Sequence, residues 1–139
     1  MKTIPVFYTI SDNYTPYAYV SIQSLIDHAD PNKDYTITLL VQEISPEHKK
    51  SLEDMSTDNI HVHVFHIDDD MVKPIHKTKE NYLRAQFFTM SIFYRLFIPE
   101  LFPQYDKAVY LDADTIICAD IADLYDTEIG DNMFASCPD

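Results

Sequence analysis

The segment Val109-Tyr110-Leu111-Asp112-Ala113-Asp114-Thr115 ends an apolar run in two carboxylates one residue apart. Carboxylates are hard oxygen donors of the kind that hold Mg²⁺, Mn²⁺ or Ca²⁺. A buried strand that delivers such a pair at its C-terminal end puts it where open α/β sheets bind ligands. In extended chain, residues i and i+2 point to the same side, so Asp112 and Asp114 can face one ion. Two carboxylates so close repel each other unless a cation lies between them. A pair of solvated turn aspartates fits the same letters.

Thr9-Ile10-Ser11-Asp12-Asn13-Tyr14 closes the first apolar run. Asp12 and Asn13 can hydrogen-bond a ribose or a base, and Tyr14 can stack on the base; simple turn and capping chemistry also accounts for them. Arg95 stands in the otherwise apolar stretch Ile92-Phe93-Tyr94-Arg95-Leu96-Phe97-Ile98. A charge in such a setting is expected to be paired or functional, bound to an aspartate of the site, to a phosphate or in a structural salt bridge. His61, His63 and His66 invite a metal reading, but on a strand the first two share a face and the third falls opposite. With no good third ligand they read as ordinary strand residues. Asp68-Asp69-Asp70 reads as a solvated loop or helix cap, and Cys118 and Cys137 as ordinary buried or half-buried thiols.

The elements that must position these groups follow from the hydrophobic pattern. Ile4 to Ile10 is a continuous apolar run and reads as a buried strand. Thr15-Pro16 fits an N-cap followed by proline at the first helical position. Ala18, Ile22, Leu25, Ile26 and Ala29 continue at helical spacing, so a helix is expected to about Asp27. Tyr35 to Val41 is a second strand. Ser45-Pro46 opens a second helix with Leu52 and Met55 inside, and Ile60 to Ile67 is a third strand. This β-α-β-α-β order implies a parallel sheet with right-handed crossovers. Tyr82 to Ile98 suits a buried helix, with Pro99 and Pro103 bounding a short turn. Lys107 to Leu111 is a fourth strand whose end should neighbour that of the first. Ile121 to Tyr125 is a single helical turn, and Met133 to Ser136 begins another strand. A chain that stops there is expected to be a fragment of a longer protein.

Composition narrows the function classes. With 10 basic and 23 acidic residues the net charge is −13, which argues against nucleic acid and against docking on anionic lipid. No apolar run approaches a membrane span of about 20 residues, and no signal-peptide core precedes Ser11, so the expected compartment is the cytoplasm. There is one glycine, Gly130, where average usage would give about ten. A P-loop and a dinucleotide fingerprint each need several glycines at a helix start. A nucleotide diphosphate bound here would need another way to neutralise its phosphates.

Taken together, Ser11 to Tyr14, Tyr94-Arg95-Leu96-Phe97-Ile98-Pro99-Glu100-Leu101, Lys107 to Thr115, Asp120 and Leu124 resemble the family eight glycosyltransferases. That family of retaining enzymes includes bacterial lipopolysaccharide galactosyl- and glucosyltransferases and the glycogenins. The resemblance covers essentially all 139 residues. It implies a GT-A fold, a Rossmann-like α/β architecture with a mostly parallel sheet flanked by helices. It also implies a UDP-sugar donor used with Mn²⁺ (or Mg²⁺), and transfer of a hexose to a saccharide or glycan acceptor with retention of configuration. On that analogy Asp112 and Asp114 coordinate the metal and Ala113 approaches the ribose. Thr9, Asp12, Asn13 and Tyr14 line the uridine pocket, and Arg95 serves at the donor sugar or phosphates as the catalytic candidate. Residues 1–139 would then be the donor-binding part of one domain, without its acceptor-binding half. Two departures stand out: Ser11 replaces an acidic residue frequent in the family, and no counterpart exists for the family's later metal-binding histidine.

Two other readings compete. A non-catalytic domain that binds a UDP-sugar keeps the same site without turnover. A phosphatase of the haloacid dehalogenase type also places D-x-D after an apolar strand, but there the motif sits on the first strand and its fifth residue is Thr or Val. Here the motif follows the fourth strand and the fifth residue is Ile116.

Overall fold

The computed structural model describes residues 3–68 and 94–136. Four strands, β1 (Ile4–Thr9), β2 (Tyr35–Val41), β3 (Ile60–His66) and β4 (Val109–Tyr110), form one sheet in the order β3-β2-β1-β4. All pairings are parallel, with Ile4 opposite Tyr35, Tyr35 opposite Ile60, and Val6 opposite Val109. The expected α/β fold and the juxtaposition of β1 with β4 are therefore present. β4 is shorter than expected: only two residues pair, and the Leu111 N–H adds a bond to the Phe7 carbonyl at 2.9 Å.

Both faces of the sheet are covered, as parallel sheets require. On one face Val6, Tyr8, Ile37, Leu39 and Val109 pack beneath Ala18, Ile22 and Leu25 of α1 (Thr15–His28) and Leu52 of α2 (Pro46–Glu53). On the other face Phe7, Leu40 and Ile67 meet Tyr94, supported by Phe102, Tyr105 and Tyr110. Phe7 is the hub there, its ring 4.9 Å from Phe102 and 6.1 Å from Tyr105. No helix of the described residues is long and apolar enough to cross a membrane.

The two proline-started helices behave differently. Ser45 caps α2 as expected: its Oγ accepts from the His48 N–H at 3.3 Å, with Pro46 at the first helical position. Thr15 does not cap α1. A 3-10 turn over Asp12–Tyr14 already runs in helical conformation, so Thr15 is the first residue inside the helix and Tyr14 takes the cap position without a side-chain bond. The cap logic fails because a preceding helical turn leaves no extended residue to bend its side chain back.

Past the third strand the expectations are partly displaced. Most of the helix expected over 82–98 lies outside the described residues. Its end is not a continuous helix: Arg95–Phe97 is a 3-10 turn leading into the four-residue α3 (Ile98–Leu101), which carries Pro99 near its start. The strand expected from Met133 to Ser136 does not form there. Met133 is 98% and Phe134 80% exposed, with no strand among the described residues beside them to supply ladder partners.

The helical turn expected at the end of the chain is α4 (Ile121–Tyr125), and Asp120 anchors it. Asp120 accepts from Lys33 Nζ at 2.9 Å, Tyr35 OH at 2.7 Å and the Ala122 N–H at 3.0 Å. Its family-like position thus serves the opposite end of β2 from the candidate site. Burial pushes its pKa up, but the Lys33 ammonium and the two donors outweigh that and hold it below the usual carboxylate range. A lowered carboxylate pKa contributes stability that is complete above the unfolded-state value of about 4. That contribution disappears as pH falls through the folded value. Asp120→Asn should therefore destabilise the chain at pH 7, and the gap to wild type should shrink below about pH 4. Melting curves of both proteins between pH 7 and pH 3 check this.

Candidate functional site at the C-terminal edge of β1 and β4

The site sits where β1 and β4 end side by side. After Leu111 the chain turns: Ala113 and Asp114 form a bend, and Thr115 Oγ1 donates back to the Asp112 carbonyl at 2.7 Å. The expected extended geometry for the two aspartates is thus replaced by a tight turn. The turn is set by its partners, with Ala113 drawn into the core at 6% exposure while Asp112 and Asp114 stay outside. Neither carboxylate bonds or pairs with any described residue.

Tyr110, two residues before Asp112, organises the other face. Burial raises its pKa; the Thr9 hydroxyl lowers it, the charge of Asp112 raises it, and that of Arg95 lowers it. The Arg95 guanidinium carbon lies 5.6 Å from the Tyr110 ring centre, within the range of a cation–π contact. Thr9 Oγ1 is shielded from solvent beside this phenol without a well-formed hydrogen bond. The structure thus gathers Thr9, Arg95 and Asp112 around one ring. The expectation of an arginine enclosed in an apolar helix is corrected: Arg95 opens a 3-10 turn, is exposed, and makes its described contact to the ring.

The Asp12–Tyr14 turn divides its labour. Asp12 Oδ1 accepts from the Ser45 N–H at 2.9 Å and from His48 Nδ1 at 2.8 Å. The Ser45 N–H and then the His48 bond hold its pKa below the ordinary value. That oxygen ties the turn to the start of α2. Asn13 and Tyr14 remain exposed, and the Tyr14 ring rests 5.4 Å from Tyr17. Tyr17, Pro16 and Val20 then share a cavity of ≈ 270 Å³ with Ala113, Asp114, Thr115 and Ile116. Tyr14 is connected to the aspartate turn through this wall.

Tyr110, Tyr17, Thr115 and Ser21 were not singled out from the sequence. Tyr110 was findable, since it lies in the apolar run two residues before Asp112. Ser21 also left a trace, as a polar residue inside the apolar stripe of α1 next to Ile22.

Other expected features fall elsewhere. His61, His63 and His66 are all exposed on β3 at the far edge of the sheet, and Asp68 is exposed. Asp69 and Asp70 lie outside the described residues, as does Cys137. Cys118 is exposed rather than buried; it follows Ile117, which takes the inward position. Among the described residues no group of three His, Cys, Asp or Glu could hold a metal. The aspartate pair nevertheless fits a hard divalent cation in part, being two exposed carboxylates on one turn that no described residue claims.

Comparisons with known proteins bear on the family and the fold. The family model described as Glycosyl transferase family 8 matches residues 5–139. General stress protein A of Bacillus subtilis is 24% identical over 131 residues, covering 92% of this chain and 43% of its own length. The apo structure of the bifunctional glycosyltransferase WbbM superposes with a TM-score of 0.75 at 32% identity, covering 92% of this chain and 21% of that one. The galactosyltransferase LgtC, solved with donor and acceptor sugar analogs, superposes with a TM-score of 0.68 at 21% identity, covering 93% and 44%. These neighbours share the GT-A fold. The chain spans less than half the length of the curated relatives it matches. By the extent of the family match, the chain belongs to glycosyl transferase family 8.

Proposed function

We propose that residues 1–139 are the donor-binding part of a hexosyltransferase that takes a UDP-sugar and a divalent cation, Mn²⁺ or Mg²⁺. The hexose passes to a saccharide or glycan acceptor, such as lipopolysaccharide or another cell-surface glycan, with retention of configuration. The single observation that carries the reading is the pair of exposed carboxylates, Asp112 and Asp114, on the turn that follows β4, neither of them paired with a described residue. Like charges on one short turn invite a cation, and the near absence of glycine leaves no phosphate loop to do that work.

In this reading Asp112 and Asp114 would hold the ion. Bound there, a divalent ion supplies Lewis-acid stabilisation of the charge that builds on the departing diphosphate. The chain's own residues do the rest. Asn13 donates and accepts at the uracil edge, and Tyr14 offers a ring face already steadied by Tyr17. Asp12 lines the uridine pocket mainly by holding the turn in place through Ser45 and His48. Ala113, small and turned inward, lets the ribose approach the backbone. Thr9, beside the Tyr110 phenol, lines the uridine pocket, and Arg95, held over the Tyr110 ring, brings a positive charge to the phosphates.

Nucleotide selectivity tests this assignment. UDP should bind the chain, in the presence of Mn²⁺, at least about 10-fold more tightly than ADP or GDP, the worth of one or two well-placed base hydrogen bonds. Asn13→Ala should reduce that preference. Equal affinity for the three nucleotides would count against a uridine pocket.

A further inference from the structure

A run of hydroxyls connects the core of the sheet to the aspartate turn. Tyr8 and Ser21 are both fully buried. Tyr8 OH lies 3.0 Å from Ser21 Oγ, and Ser21 Oγ lies 3.3 Å from Thr115 Oγ1. Thr115 Oγ1 is 2.7 Å from the Asp112 carbonyl oxygen. Each hydroxyl has one proton, and a carbonyl only accepts. The direction of the chain follows by elimination. Thr115 donates to Asp112, so Ser21 must donate to Thr115, and Tyr8 must donate to Ser21. Burial pushes the Tyr8 phenol up to about 12, so its proton stays in place at any physiological pH.

A second tie runs beside the first. Ser24 Oγ donates to the Ser21 carbonyl at 2.7 Å and accepts from the Ile117 N–H at 2.8 Å. Helix α1 therefore grips the outgoing limb of the turn at Thr115 and again at Ile117. The incoming limb is held by the Leu111 N–H on the Phe7 carbonyl. Backbone is fixed on both sides of Asp112 and Asp114, while their carboxylates are exposed and bond to no described residue.

Like charges on one short turn repel each other. A pair of ligands binds a cation well only when held near its productive geometry, within about 0.5 Å. Satisfying buried hydroxyls alone does not demand this wiring, since an apolar set of the same shape is nearly as stable as a paired one.

We propose that Tyr8, Ser21, Ser24 and Thr115 are positioning residues that clamp the Asp112–Ile117 backbone and so set the spacing of the two carboxylates for a divalent cation. This rests on the metal-dependent UDP reading above. The test uses the 139-residue chain with Tyr8→Phe, Thr115→Val and Thr115→Ser. Mn²⁺ is titrated in the presence of UDP, and amide hydrogen exchange at residues 111–117 is followed in the metal-free protein. Tyr8→Phe and Thr115→Val should each weaken Mn²⁺ binding by about 10-fold or more, the usual effect of losing a group that orients a ligand. Both should also speed exchange at Ile117, while Thr115→Ser, which keeps the hydroxyl, stays close to wild type. The clamp is overturned if wild type binds Mn²⁺ with UDP and both variants match it within twofold. If wild type shows no Mn²⁺-dependent UDP binding, the underlying reading fails; unchanged exchange at Ile117 then overturns the clamp independently.

Discussion

Asp112→Asn and Asp114→Asn should each leave the melting temperature of the bare chain almost unmoved, yet abolish the stabilisation that Mn²⁺ plus UDP gives to wild type. Neither side chain is buried, and neither bonds or pairs with a described residue. Exposed substitutions of this kind change stability by about 0.5 kcal/mol or less. Removing one of two repelling charges also relieves the turn. Ligand linkage makes the second half of the expectation large. A ligand present at 100 times its dissociation constant stabilises by about 2.7 kcal/mol. For a chain of this size that is a rise of roughly 8–10 °C. Loss of a metal ligand should cost at least the upper end of the 10–100-fold range seen when only an outer partner is removed. A thermal-shift assay with and without Mn²⁺ and UDP separates the two effects. A variant that melts far below wild type without ligand would mean that the carboxylates serve the fold.

The second large effect lies in the core. Phe7→Ala should destabilise the chain by about 3–5 kcal/mol, with a melting temperature lower by roughly 10–17 °C. Phe7 is fully buried at the centre of the sheet face that carries Tyr94, Phe102, Tyr105 and Tyr110. Its ring supports Phe102 and Tyr105, and its carbonyl holds the Leu111 N–H at the exit of β4. The cavity left by the ring therefore opens beneath the wall on which Arg95 and Tyr110 meet. Denaturant unfolding of wild type and variant gives the number. A loss under about 1 kcal/mol would show that this face packs far more loosely than its burial implies.

The first half of the fold was legible because it is built from local signals that agree. Ile4 to Thr9, Tyr35 to Val41 and Ile60 to His66 are apolar enough to be buried strands, and Ser45-Pro46 marks a helix start with its own capping bond. Parallel order then follows from crossover length and handedness. The misreadings have tertiary causes. Thr15 lost its capping role to the helical turn at Asp12–Tyr14, which is tied to α2 by Ser45 and His48 on Asp12, a contact 33 to 36 residues away. Arg95 looked enclosed because its neighbours in sequence are apolar, whereas a 3-10 turn carries it to the surface. The residues from Met133 to Ser136 have strand letters but no strand to pair with among the described residues.

The candidate site was legible at its charges and illegible at its supports. Asp112, Asp114, Asn13 and Tyr14 carry chemistry on their face. Tyr8, Ser21, Ser24 and Thr115 reveal their role only when α1 is laid along the turn, because their partners are 13 to 94 residues distant. What looked like an extended pair of ligands is a bent one, and its geometry belongs as much to α1 as to β4.

The most direct test of the central claim is UDP affinity, measured by calorimetry with Mn²⁺ and with a chelator, for wild type and for the Asp112→Asn/Asp114→Asn double variant. Mn²⁺ should tighten UDP binding to wild type by at least about 10-fold, equivalent to roughly 1.4 kcal/mol, and should leave the double variant unchanged. Equal affinity in all four conditions would contradict a metal-bridged donor site on the Asp112–Asp114 turn.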